Sequence, residues 1–251
     1  MTGEVILDVQ ELRSYYRILK GDVKAVDGVS FQVRRGEILG IAGESGCGKS
    51  TLAHTLMLRK PPLTHISGQA IFLGQDIMTM SREAFRKRRL KDISIIPQYA
   101  LDALSPTKKI GTFMADLVRE HGLPADGAFF KRVEERLRFV NLDPGVIDKY
   151  PIELSGGMKQ RVIMVISTIL NPQLVIADEI TSALDVSSQR FAASLLLELR
   201  EQGIIGSAIF ITHDLAILYQ IADRILIMYG GHVVETGPVE TIVHHPRHPY
   251  T

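Results

Sequence analysis

Glu37-Ile38-Leu39-Gly40-Ile41-Ala42, an apolar stretch that reads as a buried strand, runs directly into Gly43-Glu44-Ser45-Gly46-Cys47-Gly48-Lys49-Ser50-Thr51, and Ser50–Leu58 then reads as a helix. The turn fits the G-x-x-x-x-G-K-[ST] pattern, and a strand before it with a helix after it is the setting in which that pattern has chemical meaning. Gly43, Gly46 and Gly48 let successive backbone N–H groups turn inward with no Cβ in the way, which makes a nest for an anion. The following helix aims the positive end of its dipole at the same place. Lys49 is expected to reach the β- and γ-phosphates of a nucleotide, and the Ser50 hydroxyl to ligate Mg2+. Cys47 fills a free position of the pattern. A small filler is the expected role, and a low-pKa nucleophile beside Lys49 is the alternative. By itself the cradle says only that a nucleoside triphosphate binds; kinases, GTPases and motors share it.

Outward from this turn, Val5–Val9, Val29–Val33, Gln69–Leu73 and Ile93–Ile96 read as strands. Arg82–Lys91 is strongly basic and reads as a solvated helix, and Ile110–Leu142 is helical in pattern. The later part alternates: a helix from Met158 to Leu170 ended by Asn171-Pro172, strand Leu174–Ala177, helix Ser187–Gln202, strand Ser207–Thr212, a short helix, and strand Arg224–Met228. Such alternation implies parallel strands joined by right-handed crossovers. Tyr229-Gly230-Gly231-His232, ahead of Val233–Glu235, reads as a hairpin turn. The expected fold class is α/β: a mostly parallel core sheet, an antiparallel β subdomain from the N-terminal part, and an α-helical insertion in the middle.

Composition narrows the function classes. At 251 residues, 45% hydrophobic and 23% charged, the chain is ordinary for a globular protein and buries a core without a disulfide or metal staple. A single cysteine excludes an intrachain disulfide and fits a reducing compartment. A formal net charge of +1 gives no field for a polyanion, which argues against nucleic acid as a partner. No basic-then-apolar leader opens the sequence, and no uncharged apolar run reaches the ~20 residues of a membrane helix. A soluble chain is expected, with any membrane role coming through a partner.

Leu174-Val175-Ile176-Ala177-Asp178-Glu179 is an apolar run closed by two acids. A buried parallel strand delivers the residues at its C-terminal end to the ligand crevice of such sheets. Asp178 is placed to hold Mg2+, and Glu179 is the natural general base for water attacking the γ-phosphorus.

Leu154-Ser155-Gly156-Gly157-Met158-Lys159-Gln160-Arg161 sets the chain apart from other cradle-bearing enzymes. Ser155 suits an N-cap and Gly156-Gly157 allow close backbone approach, so this is a second anion-receiving helix start. One triphosphate has one γ-phosphate, already held by the first cradle. The second clamp makes sense if it serves a neighbouring copy. Here the sequence resembles the nucleotide-binding domain of ABC transporters, over essentially the whole chain and with the motifs in the family's order. The resemblance implies that Tyr16, with Tyr15 beside it, stacks on adenine. It implies further that Gln98 touches Mg2+ and the attacking water, that Ser182-Ala183-Leu184-Asp185 crosses a dimer interface, and that His213 contacts the γ-phosphate. ATP and Mg2+ are the implied cofactors. Two positions depart from the family: Met158 stands where many relatives have Gln, and Ile180 follows Glu179 where Pro is usual. Losing proline's fixed φ frees the turn that bears Glu179, so weakened hydrolysis is an open alternative.

Val23–Phe31, Tyr150–Leu154 and the closing His245-Pro246-Arg247-His248-Pro249-Tyr250-Thr251 resemble the oligopeptide/dipeptide importer branch. That branch also includes nickel and oligosaccharide importers. It implies a single ATPase domain over 1–251, with a core of about 1–98 and 165–251, a helical subdomain of about 99–164, and a C-terminal extension truncated or absent. It also implies a second nucleotide-binding subunit in a homo- or heterodimer, integral-membrane permease subunits, an extracytoplasmic substrate-binding protein, and a peripheral place on the cytoplasmic face of the cell (inner) membrane. The rival readings are a soluble ABC-type ATPase of DNA repair or translation and a non-hydrolytic regulatory subunit.

Overall fold

A computed structural model describes residues 3–57, 61–98, 104–180 and 186–251, with the backbone alone at 186–188. The chain opens with β1 (Val5–Ile18), β2 (Gly21–Arg34) and β3 (Ile38–Ala42), then α1 (Lys49–Met57), β4 (Leu63–Phe72), β5 (Gln75–Asp76), α2 (Arg82–Arg88) and β6 (Ile93–Ile96). Helices α3 (Ile110–Glu120), α4 (Gly127–Phe139) and α5 (Gly156–Thr168) precede β7 (Leu174–Asp178) and α6 (Val186–Glu201). The end is β8 (Ser207–Ile211), α7 (Leu215–Ile221), β9 (Arg224–Tyr229), β10 (His232–Pro238) and α8 (Val239–His244).

Two sheets result. One is antiparallel, in the order β2-β1-β4-β5; the other has the order β10-β9-β3-β8-β7-β6. In the second, β9, β3, β8, β7 and β6 run parallel and only β10 is antiparallel to its neighbour. The expected fold class is the one observed.

The parallel strands read as continuous apolar runs because both their faces are covered. In β7, Leu174 and Ile176 join the cluster under the antiparallel sheet and α1, whereas Val175 and Ala177 join the cluster under α3 to α8. The same alternation runs through β8 and β9, where Phe210 and Ile225 face one cluster and Ile209 and Leu226 the other. At Gly40 an added Cβ would lie 2.8 Å from Leu218 Cδ2, so α7 seats on the central strand only because that residue has no side chain.

Four segments differ from their sequence patterns. β1 and β2 are each 14 residues long, well beyond Val5–Val9 and Val29–Val33: register shifts between Val9 and Leu12 and between Ser14 and Tyr16 interrupt the alternation of β1, and residues 21–24 of β2 are exposed. β4 begins at Leu63 rather than Gln69. The stretch Ile110–Leu142 is two helices, α3 ending in Gly122 at φ 72 and α4 starting at the Asp126 cap, whose side chain accepts the Phe129 N–H at 2.9 Å. The predicted hairpin is present: Tyr229 pairs with His232, and Gly230 and Gly231 take φ of 54 and 85 as a two-residue turn requires.

Candidate active site

The C-terminal ends of β3 and β7 lie at the same edge of the parallel sheet, separated by β8. β3 hands over to the glycine turn, where Gly43, Gly46 and Gly48 have φ of 151, 84 and 109. A Cβ at Gly43 would sit 2.2 Å from the Met228 carbonyl oxygen, and one at Gly48 would sit 2.1 Å from that of Ala25. Strands β9 and β2 therefore brace the loop from outside. Gly231 of the β9–β10 turn adds a hydrogen bond, its N–H donating to the Cys47 carbonyl at 2.9 Å. The Cys47 side chain packs into the core beneath the antiparallel sheet, which is the filler role; only its backbone is left to face a ligand.

Lys49 is 3% exposed, and its ammonium donates to the carbonyls of Gly43 (2.7 Å) and Glu44 (2.9 Å). It lies 3.8 Å from Glu179 Oε1. Ser50 Oγ donates to Asp178 Oδ1 at 2.9 Å. Asp178 is wholly buried, and its Oδ2 has no hydrogen-bond partner among the described residues, the His54 ring nitrogen standing 3.9 Å away. Burial pushes this carboxyl above its ordinary range, against the opposing pull of the Ser50 hydrogen bond and of His54. A buried carboxylate oxygen left open beside a hydroxyl fits a divalent cation. No group of three or more His, Cys, Asp or Glu forms a metal cluster among the described residues, which suits Mg2+ held jointly with phosphates rather than a closed protein cage.

Glu179 occupies the left-handed region at φ 45, a costly place for a non-glycine residue and one that clusters at functional sites. Its N–H donates to the Ile211 carbonyl at 3.0 Å, and its Oε2 accepts from Gln98 Nε2 at 2.6 Å. Ser45, Gly46, Gly48, Lys49, Ser50 and Thr51 line, with Gln98 and Glu179, a cavity of about 180 Å³. That is smaller than the ~300 Å³ at which small-molecule pockets usually begin.

The two tyrosines part company. Tyr15 turns inward and donates to Asp27 Oδ1 at 2.7 Å, whereas the Tyr16 hydroxyl meets Thr51 Oγ1 at 3.2 Å on the cradle side. Ser155 caps α5, accepting the Met158 N–H at 3.3 Å, and the start of this helix is exposed. A Cβ at Gly156 or Gly157 would meet none of the described residues within 4 Å. None of the three lines the cavity, and neither does His213, which is exposed just past β8. Asp185 and the rest of Ser182–Asp185 lie outside the described residues.

A sequence profile of the ABC transporter family matches residues 26–182. The chain is 40% identical over 250 residues to the dipeptide transport ATP-binding protein DppD of Caldanaerobacter subterraneus subsp. tengcongensis, covering 98% of this chain and 76% of that protein. The chain belongs to the ABC transporter family. The oligopeptide transport ATP-binding protein AppF of Bacillus subtilis is also 40% identical, with 99% of this chain and 76% of that protein aligned. Among solved structures, cbiO1 of Clostridium perfringens, part of the ABC transporter complex cbiONQ, superposes with a TM-score of 0.80 at 28% identity, over 96% of this chain and 92% of that one. The dimeric ATP-binding cassette MJ0796 bound to ADP and Pi superposes at 0.82 over 93% and 98%, and at 22% identity it speaks for the fold alone.

This ABC cassette also contains supports that motif reading passed over. Gln160, on the second turn of α5, is buried and donates through Nε2 to the Ile180 carbonyl. It thereby fixes the residue after Glu179 at the position where proline's rigidity is missing. Arg161 holds the same helix to the end of α4, donating to the Asn141 carbonyl at 2.9 Å. Gln160 stands in the quoted Leu154–Arg161 run, so its presence was legible; its target, 20 residues on, was not.

Proposed function

We propose that this chain is the ATP-binding and ATP-hydrolysing subunit of an ABC importer for dipeptides or oligopeptides. The observation that carries the reading is the meeting of the cradle residues Ser45, Gly46 and Gly48–Thr51 with Gln98 and Glu179 around one cavity, Asp178 buried behind it on the Ser50 hydroxyl, while the helix start at Ser155 is exposed. The dipeptide and oligopeptide transport roles of the aligned relatives support the cargo class.

In this reading the cradle's N–H groups and the Lys49 ammonium take the β- and γ-phosphates, and the Tyr16 ring covers the base. Ser50, Asp178 and Gln98 would hold Mg2+, which when bound neutralises charge on the phosphate oxygens. Glu179 accepts the proton of the attacking water, once Gln98 shifts from its 2.6 Å hydrogen bond and leaves Oε2 free. A second nucleotide-binding subunit, identical or related, supplies Ser155, Gly156 and Gly157 to the γ-phosphate, with His213 and Asp185 serving at the closed face. An apolar groove of about 450 Å³ between the core and the helical part, bounded by Pro97 beside Gln98 and by Phe113, Leu117 and Ile163, supports coupling to helices of permease subunits. Those subunits would hold the chain to the cytoplasmic face of the inner membrane, with an extracytoplasmic binding protein on the far side. Among the described residues no helix is long and apolar enough to cross a membrane.

Glu179→Gln tests the catalytic assignment. It should retain ATP binding while turnover by the purified chain falls by at least about 100-fold. Hydrolysis by this variant at the wild-type rate would remove Glu179 from the chemistry.

A further inference from the structure

We propose that Tyr250 is a latch on the phosphate cradle, its hydroxyl fixing the Gly43–Glu44 peptide plane and through it the seat of Lys49. The Glu44 N–H donates to the Tyr250 hydroxyl oxygen at 2.8 Å. The other end of the same peptide unit, the Gly43 carbonyl, accepts from the Lys49 ammonium at 2.7 Å. A trans peptide is planar, with its N–H and C=O pointing to opposite sides, so holding one end orients the other. Gly43, at φ 151, is the residue about which that plane would otherwise turn with little resistance. Were it to turn, the buried ammonium would lose one of its two carbonyl acceptors. Glu44 does not line the cavity, so its N–H serves the latch and not the anion nest.

The phenol is held in place from several directions. Its ring lies against Tyr229 at the end of β9, with centroids 4.6 Å apart and planes tilted by 49°. Glu235 of β10 pins the run behind it, its two carboxylate oxygens accepting the N–H groups of Arg247 (2.8 Å) and His248 (3.1 Å). Tyr250 N–H donates to His248 Nδ1 at 3.2 Å, and Thr251 N–H to the His248 carbonyl at 3.0 Å. The His245–Thr251 run is therefore a built turn whose position is transmitted to the cradle. Displacing it loosens Lys49 and weakens the hold on the nucleotide. Tyr250 is a positioning residue, and this role rests on the assignment of Lys49 to the phosphates.

Tyr250→Phe keeps the ring against Tyr229 and deletes the hydroxyl. In the nucleotide-free chain, exchange of the Glu44 amide with solvent, followed by NMR, should quicken by about tenfold for one lost hydrogen bond. The Kd for ATP in the presence of Mg2+, read by calorimetry, should rise about three- to tenfold, with kcat unchanged and the melting temperature lowered by no more than about 2–4 °C. Glu235→Ala, which unseats the run by another route, should shift both readouts the same way, and the double variant should not exceed the larger single effect. Wild-type Glu44 exchange in Tyr250→Phe overturns the latch. Faster exchange with an unchanged Kd overturns its link to Lys49. A wild-type chain that binds ATP no better than Lys49→Ala overturns the nucleotide reading itself, and the latch's role with it, a failure visible in the parent titration alone.

Discussion

Asp178 spends its burial on one free oxygen. The fold removes the carboxylate from water, satisfies Oδ1 with Ser50 and leaves Oδ2 without a partner among the described residues. Because burial raises its pKa above the ordinary 3.8, ionising it detracts from stability as pH rises from that value through the raised one, and the full penalty stands at neutral pH. Asp178→Asn keeps an acceptor for Ser50 and removes the penalty. The nucleotide-free variant should melt higher at pH 7, by about 2–4 °C for each kcal/mol recovered, and the gap should close below about pH 4. ATP with Mg2+ should then stabilise the wild type and not the variant. A variant that melts lower at pH 7 would show that Asp178 is satisfied in some other way. At this scale the Gly43–Thr51 pattern and the Asp178-Glu179 pair were legible because backbone geometry dictates their residue types. The choice between Tyr15 and Tyr16 was not, since neighbouring strand residues face opposite sides and only the register against β2 and β4 says which side is the cradle's.

Among the elements, α5 does two jobs. Its first turn is exposed, as the proposed phosphate contact requires, and its second turn braces the residue after Glu179 through Gln160 and Ile180. Ile180 lacks proline's fixed φ, and Glu179 just before it is held at φ 45, so the brace substitutes for covalent rigidity. Gln160→Met keeps the volume and removes the donor. Leaving the buried Ile180 carbonyl unpaired should cost about 1–3 kcal/mol. The kcat for ATP should fall about tenfold with KM little changed, because the general base and not the phosphate cradle is disturbed. Loss of ATP affinity with kcat intact would assign Gln160 to binding instead. Element type and order followed from hydrophobic period, but lengths did not where that period is interrupted. The register shifts of β1 against β2 are such a case, and so is the break between α3 and α4, where a left-handed Gly122 ends one helix in a run that otherwise reads as continuous.

For the whole molecule, the decisive arrangement is a separation: one edge of the parallel sheet gathers the cradle and the carboxylates, and the Ser155 helix start is exposed away from that cavity, as the proposed contact with a neighbouring chain's γ-phosphate requires. If two chains close with each other's halves, Lys49→Ala and Ser155→Arg should each abolish ATPase activity as homodimers. Mixed in equal amounts they should regain about a quarter of wild-type activity, since half the dimers then contain one intact site of two. No recovery on mixing, with exchange of subunits shown by cross-linking, would mean that each chain completes its own site. The sequence by itself determined the family and its ATP-binding cradle, and it put forward the carboxylate pair and the Ser155 helix start, because each is a short run whose local backbone conformation requires those residues. Only the tertiary structure decided which tyrosine faces the cradle, that Gln160 holds Ile180, and that Tyr250, 206 residues from Glu44, reaches the phosphate loop. Those contacts join segments far apart in the chain, and they are fixed by how the sheets and helices pack, which no local pattern encodes.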